Sequence, residues 1–209
     1  NGQSPGPTIE AVEGDKLRIF VTNKLPENTT VHWHGVLLPS GMDGVGGLTQ
    51  PHIPPGKTFV YEFEMKHSGT FMYHPHSDEM VQMAMGMMGF IVVHPKDPGR
   101  YRVDRDFVFL INAFDIDPGS FTPRVNTMLD FNLWCWNSRA FPGIDPLVVR
   151  NLQVRSHRNI EVHPHERLLA LQFNIIYGQS THRSVHENSR ENKCLPVRSD
   201  GRHCVRSFA

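Results

Sequence analysis

Cysteine is scarce in this sequence, and that scarcity excludes several kinds of site. The 209 residues contain three cysteines, Cys135, Cys194 and Cys204, which cannot all pair with one another. They form no C-x-x-C pair of the kind that binds zinc, and none lies in the His-Cys-His context of a blue-copper ligand. Cys135 lies between Trp134 and Trp136, which predicts a buried thiol that packs as a small hydrophobic side chain.

Long apolar runs are also missing. No stretch approaches the roughly 20 apolar residues that a helix needs to cross a bilayer, so we expect no membrane partner. The N-terminus has no basic segment followed by an apolar one, and the chain therefore shows no signal peptide. Because the chain begins at Asn1 rather than at methionine, we expect a leader and a first strand upstream of it.

The net charge is zero, but the two signs are unevenly distributed along the chain. Residues 1–150 carry 12 basic and 16 acidic side chains, whereas residues 151–209 carry nine basic and five acidic ones. The arginines of the second segment are scattered among Ser, His and Asn, without the interleaved aromatic residues of a nucleic-acid-binding surface. We therefore expect no nucleic-acid partner.

Residues 151–209 are interpreted as a poorly specified, irregular tail. Within it, only residues 167–177 are apolar enough to bury.

Short apolar or alternating segments bounded by glycine and proline predict an all-β chain. Residues 58–65 alternate in the manner of a strand with one buried face. Other strands are predicted at residues 8–12, 17–22, 31–38, 69–76, 90–94, 107–111 and 131–136. Residues 77–88 contain a single β-branched residue and predict a short helix. The regular spacing of the strands favours a β-sandwich.

Histidine is abundant, and four of the 13 histidines form two closely spaced pairs. His32 and His34 occur in VHWHG, and His74 and His76 occur in YHPHSD. Side chains alternate along a strand, so each pair points to one face, and two adjacent strands would present four imidazoles to one cavity. A lone H-x-H is often a chance pair, but here aromatic neighbours such as Trp33 predict burial. Neutral imidazole binds copper, zinc, iron and nickel, and the pattern therefore favours a metal site.

The residues around these pairs resemble the first cupredoxin domain of the laccase-like multicopper oxidases. The similar segments are NGQSPGPTI, VTNKLPE, VHWHG, GMDGVGGLTQPHIPPG, GTFMYHPHSDEMVQMAMGMMG and IVVHP. The resemblance continues more thinly through DFVFLINAFDIDPGSF and FNLWCWNSRAFPGIDPLVVR, and it ends at Arg150. It implies a cupredoxin-like Greek-key β-sandwich over residues 1–95. A linker and a partial second cupredoxin-like domain would follow over residues 96–150, and the irregular tail over residues 151–209.

The resemblance also implies an activity, which is the oxidation of phenols or similar small substrates with four-electron reduction of dioxygen to water. In that family a three-copper cluster is bound by eight histidines between two cupredoxin domains. Matched residue by residue, His32 would bind the type 2 copper, and His34, His74 and His76 would bind the type 3 pair. Asp43 corresponds to the family's acid beside the cluster, which implies a role in proton delivery. A periplasmic or secreted location is implied as well.

The sequence also departs from that family. The later H-x-x-H-x-H and H-C-H-x-x-x-H motifs, which supply the other cluster ligands and the blue copper, do not occur. The alternative function is therefore a non-catalytic copper-binding module or an inactive truncated oxidase. Pro75 stands where two-domain copper nitrite reductases carry a cysteine ligand, which disfavours that third interpretation. An oligomer is compatible with the sequence, because smaller members of the family form clusters between subunits.

The change in character after Arg150 has one interpretation at the level of the gene, a shifted reading frame. Codons for residues 162–167, read one base later, can spell Ser-Ile-His-Met-Asn-Gly, close to the Pro-Ile-His-Met-His-Gly of the family's third histidine motif. In the given frame, His163 and His165 form an H-x-H pair whose neighbours do not resemble that motif. The other interpretation is that residues 151–209 are a genuine domain.

The predicted helix is rich in methionine. Its five methionines are Met80, Met83, Met85, Met87 and Met88. Thioether sulfur suits Cu(I), which would make the segment a copper-delivery site, but methionine also serves as an adaptable core side chain. We favour the second interpretation. Asp78 and Glu79 at the start of this segment are weaker candidates than Asp43 for proton delivery, and the pattern favours a role at the helix N-terminus for both.

Overall fold

The computed structural model describes residues 2–99, 103–125 and 131–144, and the backbone of three strands at 155–161, 169–173 and 204–205. In these ranges the chain is built mostly of strands, with one short α-helix and one 3-10 turn. No helix in the described part of the chain is both long and apolar enough to cross a membrane. This composition agrees with the predicted all-β class.

Strands β1–β11 follow in chain order at Ile9–Val12, Lys16–Thr22, His32–His34, Thr58–Glu64, Gly69–His74, Gly89–His94, Arg105–Phe114, Leu133–Trp136, Arg155–Glu161, Leu169–Phe173 and Cys204–Val205. The 3-10 turn at Ser40–Met42 follows β3, and helix α1 at Glu79–Ala84 lies between β5 and β6. Every strand and the helix predicted between residues 1 and 136 are present, with ends that differ by a few residues.

Two sheets form the β-sandwich of the first half of the chain, with strand orders β1-β6-β5-β3 and β11-β2-β4. In the first sheet, β5 pairs antiparallel with both β3 and β6, while β1 runs parallel to β6. In the second, β2 and β4 are antiparallel over their full lengths. Buried residues from both sheets form one continuous apolar core between them.

Trp33 lies fully buried in this core. Its ring packs edge-on against Tyr61, with centroids 5.0 Å apart, and tilted against Phe63 at 5.4 Å. Because side chains alternate along a strand, the insertion of Trp33 into the core turns His32 and His34 to the opposite face of the sheet. The core residue thus orients the candidate metal ligands.

Strand β3 is shorter than the predicted strand over residues 31–38. It ends at His34 because Gly35 adopts φ +81°, a left-handed conformation that does not continue a strand. The amide of Val36 then donates a hydrogen bond to the carbonyl oxygen of Trp33 at 3.1 Å, which closes a tight turn. The three-residue strand therefore holds the first histidine pair and little else.

A second apolar cluster joins the sandwich to the strands that follow it. Buried Met72, Met88 and Phe90 pack with Leu110 of β7, and Met83 packs against this group. Met83 and Met88 therefore act as core side chains, as predicted. Met80 and Met85, in contrast, are 45% and 51% exposed, so the core interpretation is wrong for these two residues.

A third sheet contains β7 and has the order β10-β9-β7-β8. Cys135 on β8 is 2% exposed, as predicted, and burial raises the pKa of its thiol. Within the segment expected to be irregular, β9 pairs parallel with β7 and β10 pairs antiparallel with β9. The pair His163 and His165 lies outside the described residues.

Candidate metal centre

Four imidazole rings from the two histidine pairs meet on one face of the first sheet. The ring centroid of His32 lies 5.3 Å from that of His34, 5.2 Å from that of His74 and 5.3 Å from that of His76. The centroids of His74 and His76 are 6.0 Å apart. The four rings share one face, as the spacing predicts, and their role as metal ligands remains a prediction.

The register of β3 against β5 produces this arrangement. His32 lies opposite His74, and Trp33 lies opposite Tyr73, so the core aromatics share one face of the sheet and the histidines share the other. His76 is not part of a strand, because β5 ends at His74. The amide of Gly46 donates a hydrogen bond to the carbonyl oxygen of His76 at 3.2 Å and helps to hold this residue in place.

Hydrogen bonds direct particular ring nitrogens into the cluster. Nδ1 of His32 donates to the carbonyl oxygen of Asp43 at 2.6 Å, which leaves the Nε2 lone pair free. Nδ1 of His74 donates to the carbonyl oxygen of Pro75 at 2.9 Å, and Nε2 of the same ring lies 3.2 Å from Nδ1 of His34. One ring nitrogen each of His32, His34 and His74 lie within 4.8 Å of one another. These three rings therefore converge on a common space.

The environment favours the neutral form of two of the rings, those of His34 and His74. Burial lowers the pKa of His74 to about 4, against the opposing effect of its hydrogen bond to Pro75. Burial also lowers the pKa of His34, followed in size by the nearby rings of His32 and His76. Because the neutral imidazole is the form that binds a metal, these lowered pKa values keep His34 and His74 in the form suited to a ligand.

Two carboxylates flank the cluster. Oδ1 of Asp43 lies 3.5 Å from Nδ1 of His32, and the Asp43 side chain is 34% exposed. The carboxylate of Glu79 lies on the other side, 3.6 Å from Nδ1 of His74 and 3.5 Å from Nε2 of His76. The i,i+3 spacing from His76 thus places the Glu79 carboxylate beside the rings as well as in the first turn of α1.

A glycine-rich loop carries Asp43 to its position beneath His32. Gly44 adopts φ +82°, and a Cβ atom there would overlap the carbonyl oxygen of Val31. Gly46 leaves room for His52, whose Nδ1 lies 2.8 Å from the hydroxyl of Ser77. Glycine is thus required where this loop passes directly over the backbone of the first histidine pair.

Comparison with known proteins identifies the family. Residues 1–98 match the family model described as "Multicopper oxidase". Copper resistance protein A of Escherichia coli is 38% identical over 132 residues, which cover 63% of this chain and 22% of the relative. Laccase-1 of Cryptococcus neoformans var. grubii is 45% identical over 102 residues, covering 47% of this chain and 16% of the relative. Residues 1–98 belong to the multicopper oxidase family.

Solved multicopper oxidases share the fold. The multi-copper oxidase from Pseudomonas thermotolerans superposes with a TM-score of 0.69 at 32% identity, over 77% of this chain and 40% of that one. The blue copper oxidase from Nitrosomonas europaea gives a TM-score of 0.68 at 28% identity, over 84% of this chain and 64% of that one. The fold is therefore cupredoxin-like. The chain spans about a fifth of the length of curated relatives such as copper resistance protein A.

The donor set of this multicopper oxidase domain fits copper. Imidazole nitrogen suits both Cu(I) and Cu(II), and rings held by hydrogen bonds from their outer nitrogens are the usual arrangement around such ions. His32 and His74 each use one nitrogen for a carbonyl oxygen and direct the other toward the neighbouring rings. The residues present are consistent with the copper that the family implies.

Proposed function

We propose that this chain supplies four histidine ligands to the three-copper cluster of a laccase-type oxidase. The observation that carries the proposal is the convergence of His32, His34, His74 and His76, with each centroid between 5.2 and 6.0 Å from another. The oxidase would act on phenols or similar small reducing substrates. When bound, the coppers supply electron transfer and the reduction of dioxygen to water. A periplasmic or secreted location is part of the same proposal.

Each ring has a distinct task in this proposal. His32 would hold the type 2 copper through Nε2, since its Nδ1 is occupied by the Asp43 carbonyl oxygen. His34 and His74, whose rings are in contact at 3.2 Å, would hold the type 3 pair, and His76 would complete the set. The ring of His74 is 4% exposed, so burial also keeps bulk water from this side of the cluster.

Asp43 is the proposed residue for proton delivery. Its carboxylate lies 3.5 Å from Nδ1 of His32 and is partly exposed, so it contacts both the cluster and the solvent. A carboxyl group in such a position can take up a proton from water and hold it beside the site where dioxygen is reduced. Its backbone carbonyl oxygen orients His32 at the same time.

A second candidate function is a copper-binding module without turnover. The observation that favours it is the lack of H-x-x-H-x-H and H-C-H-x-x-x-H in the 209 residues, so that half of the family's cluster ligands have no counterpart in this chain. Oxygen uptake with a phenolic substrate distinguishes the two functions. An oxidase consumes oxygen once it is loaded with copper, and a module binds copper without consuming oxygen.

The metal assignment is tested by copper content. We expect the double variant His32→Ala/His34→Ala to lose the copper that the wild-type chain binds, as measured by elemental analysis of folded protein. His94→Ala is the matched control, because His94 pairs with Glu10 at 3.1 Å on strands β6 and β1, apart from the four rings. Equal copper content in the wild type and the double variant would contradict the proposal.

We also propose the domain organisation given by the resemblance, with a cupredoxin-like domain at 1–95, the start of a second at 96–150 and a frame-shifted tail at 151–209. The nucleotide sequence around the codon for Arg150 tests the last part. A frame shift predicts a copper-ligand motif in an alternative frame of the tail. If neither alternative frame encodes such a motif, residues 151–209 are a genuine domain.

A further inference from the structure

Glu79, at the start of α1, lies beside two of the four rings. Its Oε1 is 3.6 Å from Nδ1 of His74, and its Oε2 is 3.5 Å from Nε2 of His76. The two rings are stacked, with an angle of 29° between their planes. One carboxylate therefore reaches both rings at once.

Helix α1 is anchored so that Glu79 keeps this position. Gln82 is 2% exposed, accepts a hydrogen bond from the hydroxyl of Thr29 at 2.7 Å and donates one to the carbonyl oxygen of Asn28 at 2.9 Å. Residues three apart share one face of a helix, so the face that carries Gln82 inward also carries Glu79 toward the cluster. Asp78, one residue earlier, is exposed.

The Glu79 carboxylate contributes more to the orientation of the His76 ring than to that of the His74 ring. His32 and His74 are fixed by hydrogen bonds to the carbonyl oxygens of Asp43 and Pro75. Among the residues that the structure describes, no carbonyl oxygen is hydrogen-bonded to the ring of His76. Its side chain is 36% exposed, against 17% for His32 and 4% for His74. Its polar neighbour outside the histidine cluster is Glu79.

We propose that Glu79 is a positioning residue for copper, which orients the ring of His76 and supports that of His74 from outside the cluster. This inference rests on the proposed function. An anionic partner behind an imidazole restricts its rotation and strengthens it as a ligand, and it adds negative charge beside a site for cations. Removal of such a partner typically lowers metal affinity by about 10- to 100-fold.

The test compares Glu79→Gln with Asp78→Asn in the 209-residue chain. Both substitutions remove one negative charge at the same end of α1, but only Glu79 contacts the rings. Copper affinity is measured by competition with a chelator, and the environment of bound Cu(II) by electron paramagnetic resonance. We expect Glu79→Gln to weaken copper binding by about 10- to 100-fold and to change the spectrum. For Asp78→Asn we expect an affinity within about twofold of the wild type.

A second variant, Glu79→Asp, keeps the charge but shortens the side chain by one methylene, and we expect an intermediate affinity. Circular dichroism and thermal unfolding of the copper-free proteins check that each variant folds. Equal copper affinities for Glu79→Gln and Asp78→Asn would overturn the inference. The loss of one negative charge near the cluster would then explain both results without any contact to the rings. If the wild type binds copper no better than His32→Ala/His34→Ala, the proposed function fails and this inference fails with it.

Discussion

The two regions of the described chain differ in how deeply they bury their largest aromatic side chains. In residues 2–99, Trp33, Tyr61 and Met65 are at most 1% exposed, because two sheets close over them. In residues 103–144, Phe121 is 101% exposed, Phe141 is 88% exposed and Trp134 is 55% exposed. Aromatic residues thus lie mainly in the core of one region and at the surface of the other, although Leu37 and Leu48 of the first region are exposed and Leu110 of the second is buried. Hydrophobicity alone does not ensure burial, and in residues 2–99 the packing of two sheets provides it.

The largest expected effect is the difference in the free energy of unfolding between alanine substitutions of a tryptophan in each region. Trp33→Ala leaves a cavity in the sandwich core and should lower the free energy of unfolding by about 3–5 kcal/mol. Trp134→Ala should change it by less than about 1 kcal/mol, because the side chain is already 55% exposed. Denaturant unfolding monitored by circular dichroism measures both. Similar losses in the two variants would show that the second region has a core as well built as the first.

The next largest effect concerns the glycine-rich loop. Gly44→Ala should lower the free energy of unfolding by about 2–4 kcal/mol, since it adds backbone strain at φ +82° to an overlap with Val31. It should also reduce copper content, because the loop that orients His32 must move. Gly56→Ala is the control: it has φ +74° with open space around it, so only the strain of about 1–2 kcal/mol applies. Equal stability losses would show that the loop is not packed on β3.

A smaller difference is expected between two methionines of the α1 region. Met83→Ala should cost about 1–2 kcal/mol, because Met83 packs against the cluster that joins the sandwich to β7. Met85→Ala should cost less than about 0.5 kcal/mol, because Met85 is half exposed. Thermal unfolding measures the stabilities, and elemental analysis should show unchanged copper content in both variants. Copper loss in either one would restore the copper-delivery interpretation of these methionines.

The smallest effect is expected for one buried hydrogen bond. Thr29→Val keeps the shape of the side chain but removes the hydroxyl that donates to Gln82 at 2.7 Å, at a cost of about 1 kcal/mol. Since Gln82 anchors α1, the copper affinity should fall less than in Glu79→Gln. Chelator competition and thermal unfolding on the same sample check the two expectations. An affinity loss as large as that of Glu79→Gln would mean that the helix anchor, and not the carboxylate, positions His76.

Much of the candidate site follows from local spacing. The period-two alternation of β3 is visible in the sequence, and it predicts that His32 and His34 share a face while Trp33 takes the other. The strands at residues 58–64 and 89–94 are likewise predicted by their apolar pattern. The end of β3 at Gly35 was not predicted, because the left-handed conformation of that glycine depends on the turn that follows.

The sequence by itself determined which residues alternate, where the turns lie and that two histidine pairs are available as ligands. Those properties depend on neighbours one to four positions away along the chain. Only the tertiary structure decided that His32 lies opposite His74, that the carbonyl oxygen of Asp43 directs one ring nitrogen, and that Glu79 contacts His76. The first two contacts join segments that are separated along the chain. The third forms only because α1 is anchored with the face that carries Glu79 toward the rings. Strand register and helix anchoring, which create them, have no signature in local composition.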